Sequence, residues 1–268
     1  MADAAPASPV ALRSARHYGF FHVVFSRFFG RHMGALRIPP WGLPQDPPAG
    51  TPLIVLANHP SWWDGVAFML LSARLFPRRE IYIPMDAAAL GKYRFMRRIG
   101  CFGIEPGPRG AVAFLRTAKE VLAAPRAMLW MNAPGRFQDV RDRPVFLAPG
   151  VTRLTEMAPD AVVVPLALDY VFWTERRPDM LAAFGEPLHA ADLNALDREA
   201  REEAIRAALT ATMDRLAEEA MTRDPARFTV VAEGAEGMGG IYEAWRRTLA
   251  AIRGRRFDPR HATPPSTP

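Results

Sequence analysis

The sequence predicts a single α/β domain: a mostly parallel central sheet flanked by helices, preceded by an N-terminal amphipathic helical segment. Three observations carry that expectation. Strand-like runs alternate with stretches of helical periodicity between residues 53 and 170, which is the signature of parallel strands joined by helical crossovers. The first of those runs, LIVLAN, is apolar almost throughout, as a strand covered on both faces is. The chain has 268 residues, 49% of them hydrophobic and 23% charged, enough for one sizeable core and too apolar for disorder.

The elements follow in chain order. Residues 1–11 (MADAAPASPVA) have the composition of a tail. Residues 13–38 are basic and aromatic. On a helical wheel Phe20, Phe21, Val24, Phe25 and Phe28 share one side, with His22 and Ser26 opposite. Such a helix either lies in a membrane interface or packs its aromatic face on the domain. Residues 1–38 therefore read as tail plus membrane-contacting helical segment, and the proline-rich stretch 39–52 as a connector. Strands are expected at 53–58, 80–85, 101–105, 127–132 and 161–170. A helix is expected from Ser61 to about Leu75, a short basic one near 90–98, and another at 111–122 with Val112, Leu115, Ala118 and Leu122 inward. A long amphipathic helix spans 197–220, with Asp197 as its N-cap and Ile205, Leu209, Met213 and Leu216 facing the core. A second, basic one spans 240–257. The domain reads as 53–257, with 258–268 a disordered tail.

Charge and cysteine usage narrow the function. The formal net charge is +6, which favours acidic partners such as anionic lipid, phosphorylated substrates or nucleic acid. Lys92 and Lys119 are the only lysines. A GC-rich coding sequence produces the same arginine skew, so charge alone names no ligand. No nucleic-acid-binding module is recognisable. Cys101 is the only cysteine, which excludes an intrachain disulfide. No uncharged apolar run reaches the length of a membrane-spanning helix, and the N-terminal stretch does not read as a signal peptide. There is no Gly-x-Ser-x-Gly elbow, no phosphate-binding Walker loop, no dinucleotide fingerprint and no set of zinc ligands.

The stretch ANHPSWWDG (57–65) is the strongest candidate site. Ser61 and Asp64 have the spacing of a capping box at a helix start, a reading that leaves His59 without a task. A second reading makes His59 a base and Asp64 the carboxylate that orients it. Residues five apart on a helix are rotated by about 140° and do not meet. A strand ending at Asn58, the proline at 60 and a helix starting near Ser61 supply a sharp turn instead. That turn would stand the imidazole at the carboxyl edge of the sheet, where open α/β sheets bind ligands. The pair then has the base-and-orienter logic of a triad without its serine.

ANHPSWWD resembles the His-x4-Asp block of the glycerolipid (lysophospholipid) acyltransferase family. Three looser likenesses follow in the family's order. GCFGIEPGPRG (100–110) resembles the second block, LWMNAPGRF (129–137) the third, and VVPLAL (163–168) the fourth. The resemblance implies that His59 and Asp64 are catalytic, and that Glu105, Arg109, Gly135 and Arg136 bind substrate. Four positions depart from the family pattern: Asn132 and Ala133 stand where the third block has Phe and Pro, and the other two are prolines. Pro106 stands where the second block has its phosphate-binding arginine, and Pro134 where the third has glutamate.

The resemblance implies transfer of a fatty acyl group from a coenzyme A or acyl-carrier-protein thioester to a hydroxyl of a lysophospholipid or other membrane lipid. No metal and no cofactor beyond the thioester donor is expected. The expected location is peripheral, on the cytoplasmic side of the cell membrane and in contact with anionic lipid. Two alternatives stay open: an acyltransferase for a non-phosphorylated, for example glycosylated, lipid, and a non-catalytic lipid-binding homologue.

Overall fold

The computed structural model describes residues 8–234. The first seven residues, the glycine-rich stretch from 235, the basic helix expected over 240–257 and the tail beyond it lie outside the described residues. In chain order the elements are α1 (Pro9–Leu12), α2 (Ala15–His32), β1 (Ala35–Ile38), β2 (Leu53–Ala57), α3 (Asp64–Leu75), β3 (Glu80–Asp86), α4 (Ala87–Lys92), β4 (Cys101–Ile104), α5 (Gly107–Leu122), β5 (Ala127–Asn132), α6 (Leu154–Met157), β6 (Val162–Val171), β7 (Asp179–Phe184), β8 (Leu188–His189), α7 (Ala190–Asn194), α8 (Arg198–Met221) and β9 (Thr229–Glu233).

The strands form one sheet in the order β4-β3-β5-β2-β6-β7-β1-β9, with β8 also pairing with β6. From β4 to β6 every neighbour is parallel. β7 then runs antiparallel to β6, and β1 parallel to β7. β2 lies between β5 and β6, deep in the sheet, and its side chains alternate between two cores. Ile54 and Leu56 join the core under α5, α6 and α8. Leu53, Val55 and Ala57 join the one under α2 and α3. Burial on both faces is why this strand reads as a continuous apolar run.

Helix α8 buries Ile205, Leu209, Met213 and Leu216, the stripe its periodicity predicts, and Asp197 caps it by accepting from the Ala200 N–H at 2.8 Å. α5 differs from expectation. It starts at Gly107 and buries Phe114, Ala118, Val121 and Leu122, while Val112 is exposed. The helix turns its Phe114 stripe to the sheet because Phe114 meets Phe102 of β4 there.

The N-terminal segment also departs from the wheel. The chain leaves the helix at Met33, and residues 35–38 become β1, a strand inside the sheet between β7 and β9. The face of α2 turned to the domain carries Tyr18, Phe25 and Phe29. Phe29 is 1% exposed, whereas Phe20 is 64% exposed and Val23 and Val24 lie outward with it. His22 and Ser26, expected outward, are half-buried. Nearly every side of this helix carries an aromatic or aliphatic residue, so periodicity alone does not choose the inner face. Packing chooses it: the Tyr18 hydroxyl lies 2.8 Å from Ser72 of α3, and Phe21 stacks on Phe95.

Four strands have no counterpart in the sequence reading: β1, β7, β8 and β9. β7 (DMLAAF) is rich in alanine and methionine, which favour helix in isolation. Its pairing with β6 and β1 overrides that propensity.

Candidate active site

The site lies where β2 ends. Ala57 is the last residue of the strand, in register with Asn132 of β5 and Leu166 of β6. Asn58 extends the ladder with its side chain. Its carboxamide donates to the Leu168 carbonyl at 2.9 Å and accepts from the Leu168 N–H at 2.8 Å, as a further strand residue would. The chain then turns through Pro60, and α3 starts at Asp64.

That turn brings His59 and Asp64 together. Nδ1 of His59 lies 2.6 Å from Oδ2 of Asp64. The nitrogen facing a carboxylate carries the ring proton, so Nε2 is left as the acceptor. Nε2 has no hydrogen-bond partner among the described residues and is not sealed from solvent; the side chain is 19% exposed. Asp64, by contrast, is 1% exposed. Three donors face it: His59 Nδ1–H, the Ser61 N–H at 3.4 Å, and the Tyr170 hydroxyl, which donates to Oδ1 at 2.6 Å. Three donors and no acceptor are the surroundings of a carboxylate rather than of a carboxylic acid. Burial raises the Asp64 pKa above the ordinary aspartate value, opposed by the hydrogen bonds from His59, Tyr170 and Ser61 and by the charge of His59. The start of α3 adds the positive end of a helix dipole.

The capping box forms only in part: α3 starts at Asp64, Trp63 takes the cap position without a side-chain bond, and the Asp64 N–H donates to the Ser61 backbone carbonyl rather than to its hydroxyl. Ser61 Oγ accepts from the Trp63 N–H at 3.2 Å while Asp64 accepts from the Ser61 N–H. This partial cap and the histidine pair share one carboxylate oxygen, so the two readings of ANHPSWWDG are compatible.

The loop after β5 closes over the other side of the ring. Gln138 N–H donates to the His59 carbonyl at 2.9 Å, and the Phe137 ring lies 4.3 Å from the imidazole, centroid to centroid. Gly135 takes a positive φ of 64° in this loop, where a side chain would be strained and would crowd Ala148. Arg136 is exposed, its guanidinium 4.5 Å from the centre of the Phe146 ring. Gly135 and Arg136 thus lie in the loop that touches His59 through Phe137 and Gln138. Glu105 and Arg109 do not. They are exposed, at the turn from β4 into α5, and β4 is three places from β2 in the sheet. Three strand spacings put them roughly 14 Å away along the same carboxyl edge. Of the two tryptophans, Trp63 stacks on Phe28 of α2, and Trp62 is 64% exposed beside it.

Residues 43–169 match the family described as Acyltransferase. Over these residues the chain is similar to acyltransferases. A comparison with curated proteins finds no match. The matched segment contains all of β2 to β5, the His59–Asp64 turn and β6 as far as Asp169. The match over 43–169 supports acyl transfer as the general activity, and the geometry offers a group able to accept a hydroxyl proton. Sequence reasoning had missed three contributors: Asn58, Phe137 and Tyr170. Asn58 adjoins the histidine and a polar residue ending a buried run was a usable signal. Tyr170 ends a strand run 106 residues from Asp64, and nothing local marks it.

Proposed function

We propose that the chain is a peripheral membrane O-acyltransferase that moves a fatty acyl group from a thioester of coenzyme A or acyl-carrier protein to a lipid hydroxyl. The acceptor O–H gives its proton to Nε2 of His59 as its oxygen attacks the thioester carbonyl. Asp64 holds the proton on Nδ1 and stabilises the imidazolium that forms. Collapse of the tetrahedral intermediate breaks the C–S bond, and the departing thiolate takes the proton back from Nε2. The products are the lipid ester and the free thiol. The step as written forms no acyl-enzyme and uses no metal or cofactor. The observation that carries the reading is the 2.6 Å His59–Asp64 pair with an open Nε2.

The acceptor is a lysophospholipid or another membrane lipid with a free hydroxyl. A phosphate-free acceptor, such as a glycosylated lipid, is the second reading, supported by the distance of Arg109 from His59 and by Pro106 in the second block. The proposed location is the cytoplasmic side of the cell membrane, and contact with an anionic surface is supported by the outer face of α2. It combines Phe20, Val23 and Val24 with Arg16, Arg27 and Arg31, all exposed, and Trp62 lies against Phe28 of α2. Aromatic and aliphatic groups fit an acyl boundary and arginines fit anionic headgroups.

The test is a panel of labelled acyl thioesters and acceptors, run with the wild type and His59→Ala. The reading expects product from the wild type and a loss of at least about 10³-fold in the variant. Product only from phosphate-free acceptors selects the second reading. No product from any pair selects a lipid-binding protein without turnover.

A further inference from the structure

We propose that Tyr170 is a positioning residue of the acyl-transfer site: by donating to Oδ1 of Asp64 it holds the carboxylate with Oδ2 aimed at His59 and limits the charge that Oδ2 presents. The proposal rests on the acyl-transfer reading above for its kinetic consequences, and on geometry alone for the contact.

The contact follows from register. Ala57, the end of β2, pairs with Leu166, so β6 overruns its neighbour by five residues, 167–171. Asn58 occupies the next rung by bonding to both backbone groups of Leu168. Side chains on a strand alternate, so Tyr170 falls on the same face as Val164, Leu166 and Leu168. That is the face covered by α2 and α3, and Asp64 begins α3. The overrun of β6 therefore carries a phenol to the far side of the carboxylate from His59.

A carboxylate has two oxygens and turns easily about its last bond. In Asp64, Oδ2 is engaged by His59 and the Ser61 N–H, while Oδ1 has the Tyr170 hydroxyl at 2.6 Å. Without that hydroxyl, Oδ1 is a buried acceptor with nothing to accept from, and the carboxylate has reason to rotate. The donor is dependable. Burial, then the charge of Asp64, raise the Tyr170 pKa well above the usual 10, so the O–H keeps its proton throughout the working range. The strand end is itself held: the Tyr170 N–H donates to Oδ1 of Asp169 at 2.7 Å.

The charged neighbours are few. His59 and Tyr170 face Asp64, and Asp64 and Asp169 act on Tyr170. Asp139 and Arg141 of the loop after β5 act on Asp169. The Tyr170 O–H draws charge from the carboxylate. Its removal leaves the His59–Asp64 pair holding an added proton more tightly, and the base is then unavailable up to a higher pH.

The experiment compares the wild type with Tyr170→Phe in the full chain, with Asp64→Asn and with the double variant. Tyr170→Phe keeps the ring and removes only the hydroxyl. The proposal expects kcat to fall roughly tenfold with KM within about twofold, and the acidic limb of the pH profile to move upward by about half a unit to one unit. In the Asp64→Asn background the same change should cost under about twofold, because the residue acts through Asp64. Equal losses in both backgrounds, or an unmoved acidic limb, overturn the proposal in favour of a packing role. Fluorotyrosine incorporated at Tyr170 keeps the packing and strengthens the donor; the acidic limb should move down, and no movement overturns the proposal. NMR of the His59 Nδ1 proton needs no substrate. A downfield shift in Tyr170→Phe supports the contact and an unchanged resonance overturns it, even if no acceptor gives product and the acyl-transfer reading itself fails.

Discussion

At the scale of single residues, Asp64 is asked to do two jobs. It accepts from the Ser61 N–H in the turn that leads into α3 and orients His59, and for both it is a charge kept out of water. Burial raises its pKa above the value near 3.9 of an unfolded aspartate. The folded state therefore binds a proton more readily than the unfolded one. The cost of the buried charge is fully present above the raised folded pKa and fades as pH falls toward about 4. Asp64→Asn removes that cost at neutral pH while leaving a wrong hydrogen-bonding partner for the imidazole. The variant should melt at or above the wild-type temperature at pH 7, with the two melting points drawing together near pH 4. Its turnover should fall by about 10³–10⁴-fold. A marked loss of thermal stability at pH 7 would show that Asp64 serves the fold more than the reaction.

At the scale of elements, α2 separates two roles by face. Phe29 is enclosed by the domain and Phe20 points away from it. Phe29→Ala should cost about 3–5 kcal/mol of stability, the usual result of emptying a phenylalanine site. Phe20→Ser should change stability by less than about 0.5 kcal/mol yet weaken retention on anionic vesicles in a flotation assay. If Phe20→Ser floats as well as the wild type, the outer face is not the membrane contact. Removing residues 1–38 is a poorer probe, because it also takes β1 out of the sheet. Residues 53–132 show how much is legible locally: their strands lie within a residue or two of expectation because the runs are short and apolar, with both faces buried in β2 and β5. β7 was illegible because its alanines pack only between two neighbours supplied by distant parts of the chain.

At the scale of the whole molecule, the charge of +6 and the exposed arginines of α2 make membrane contact an electrostatic matter in part. The screening length falls from about 10 Å at 0.1 M salt to about 3 Å at 1 M. Flotation with anionic vesicles should therefore drop sharply over that range, while retention on zwitterionic vesicles stays low throughout. Salt-independent flotation would mean that the apolar groups alone carry the contact. The sequence by itself determined the α/β class and the parallel run of strands, and offered the meeting of His59 with Asp64 as one of two readings of a single turn. Each depends on neighbours a few residues apart, whose geometry a turn or a periodicity dictates. Only the tertiary structure decided that Tyr170 completes the carboxylate's partners, that Asn58 stitches β2 to β6, that Arg109 stands three strands from the histidine, and which side of α2 faces out. Those contacts depend on strand order, register and packing across the fold, and no local pattern of residue types encodes the order in which strands come to lie side by side.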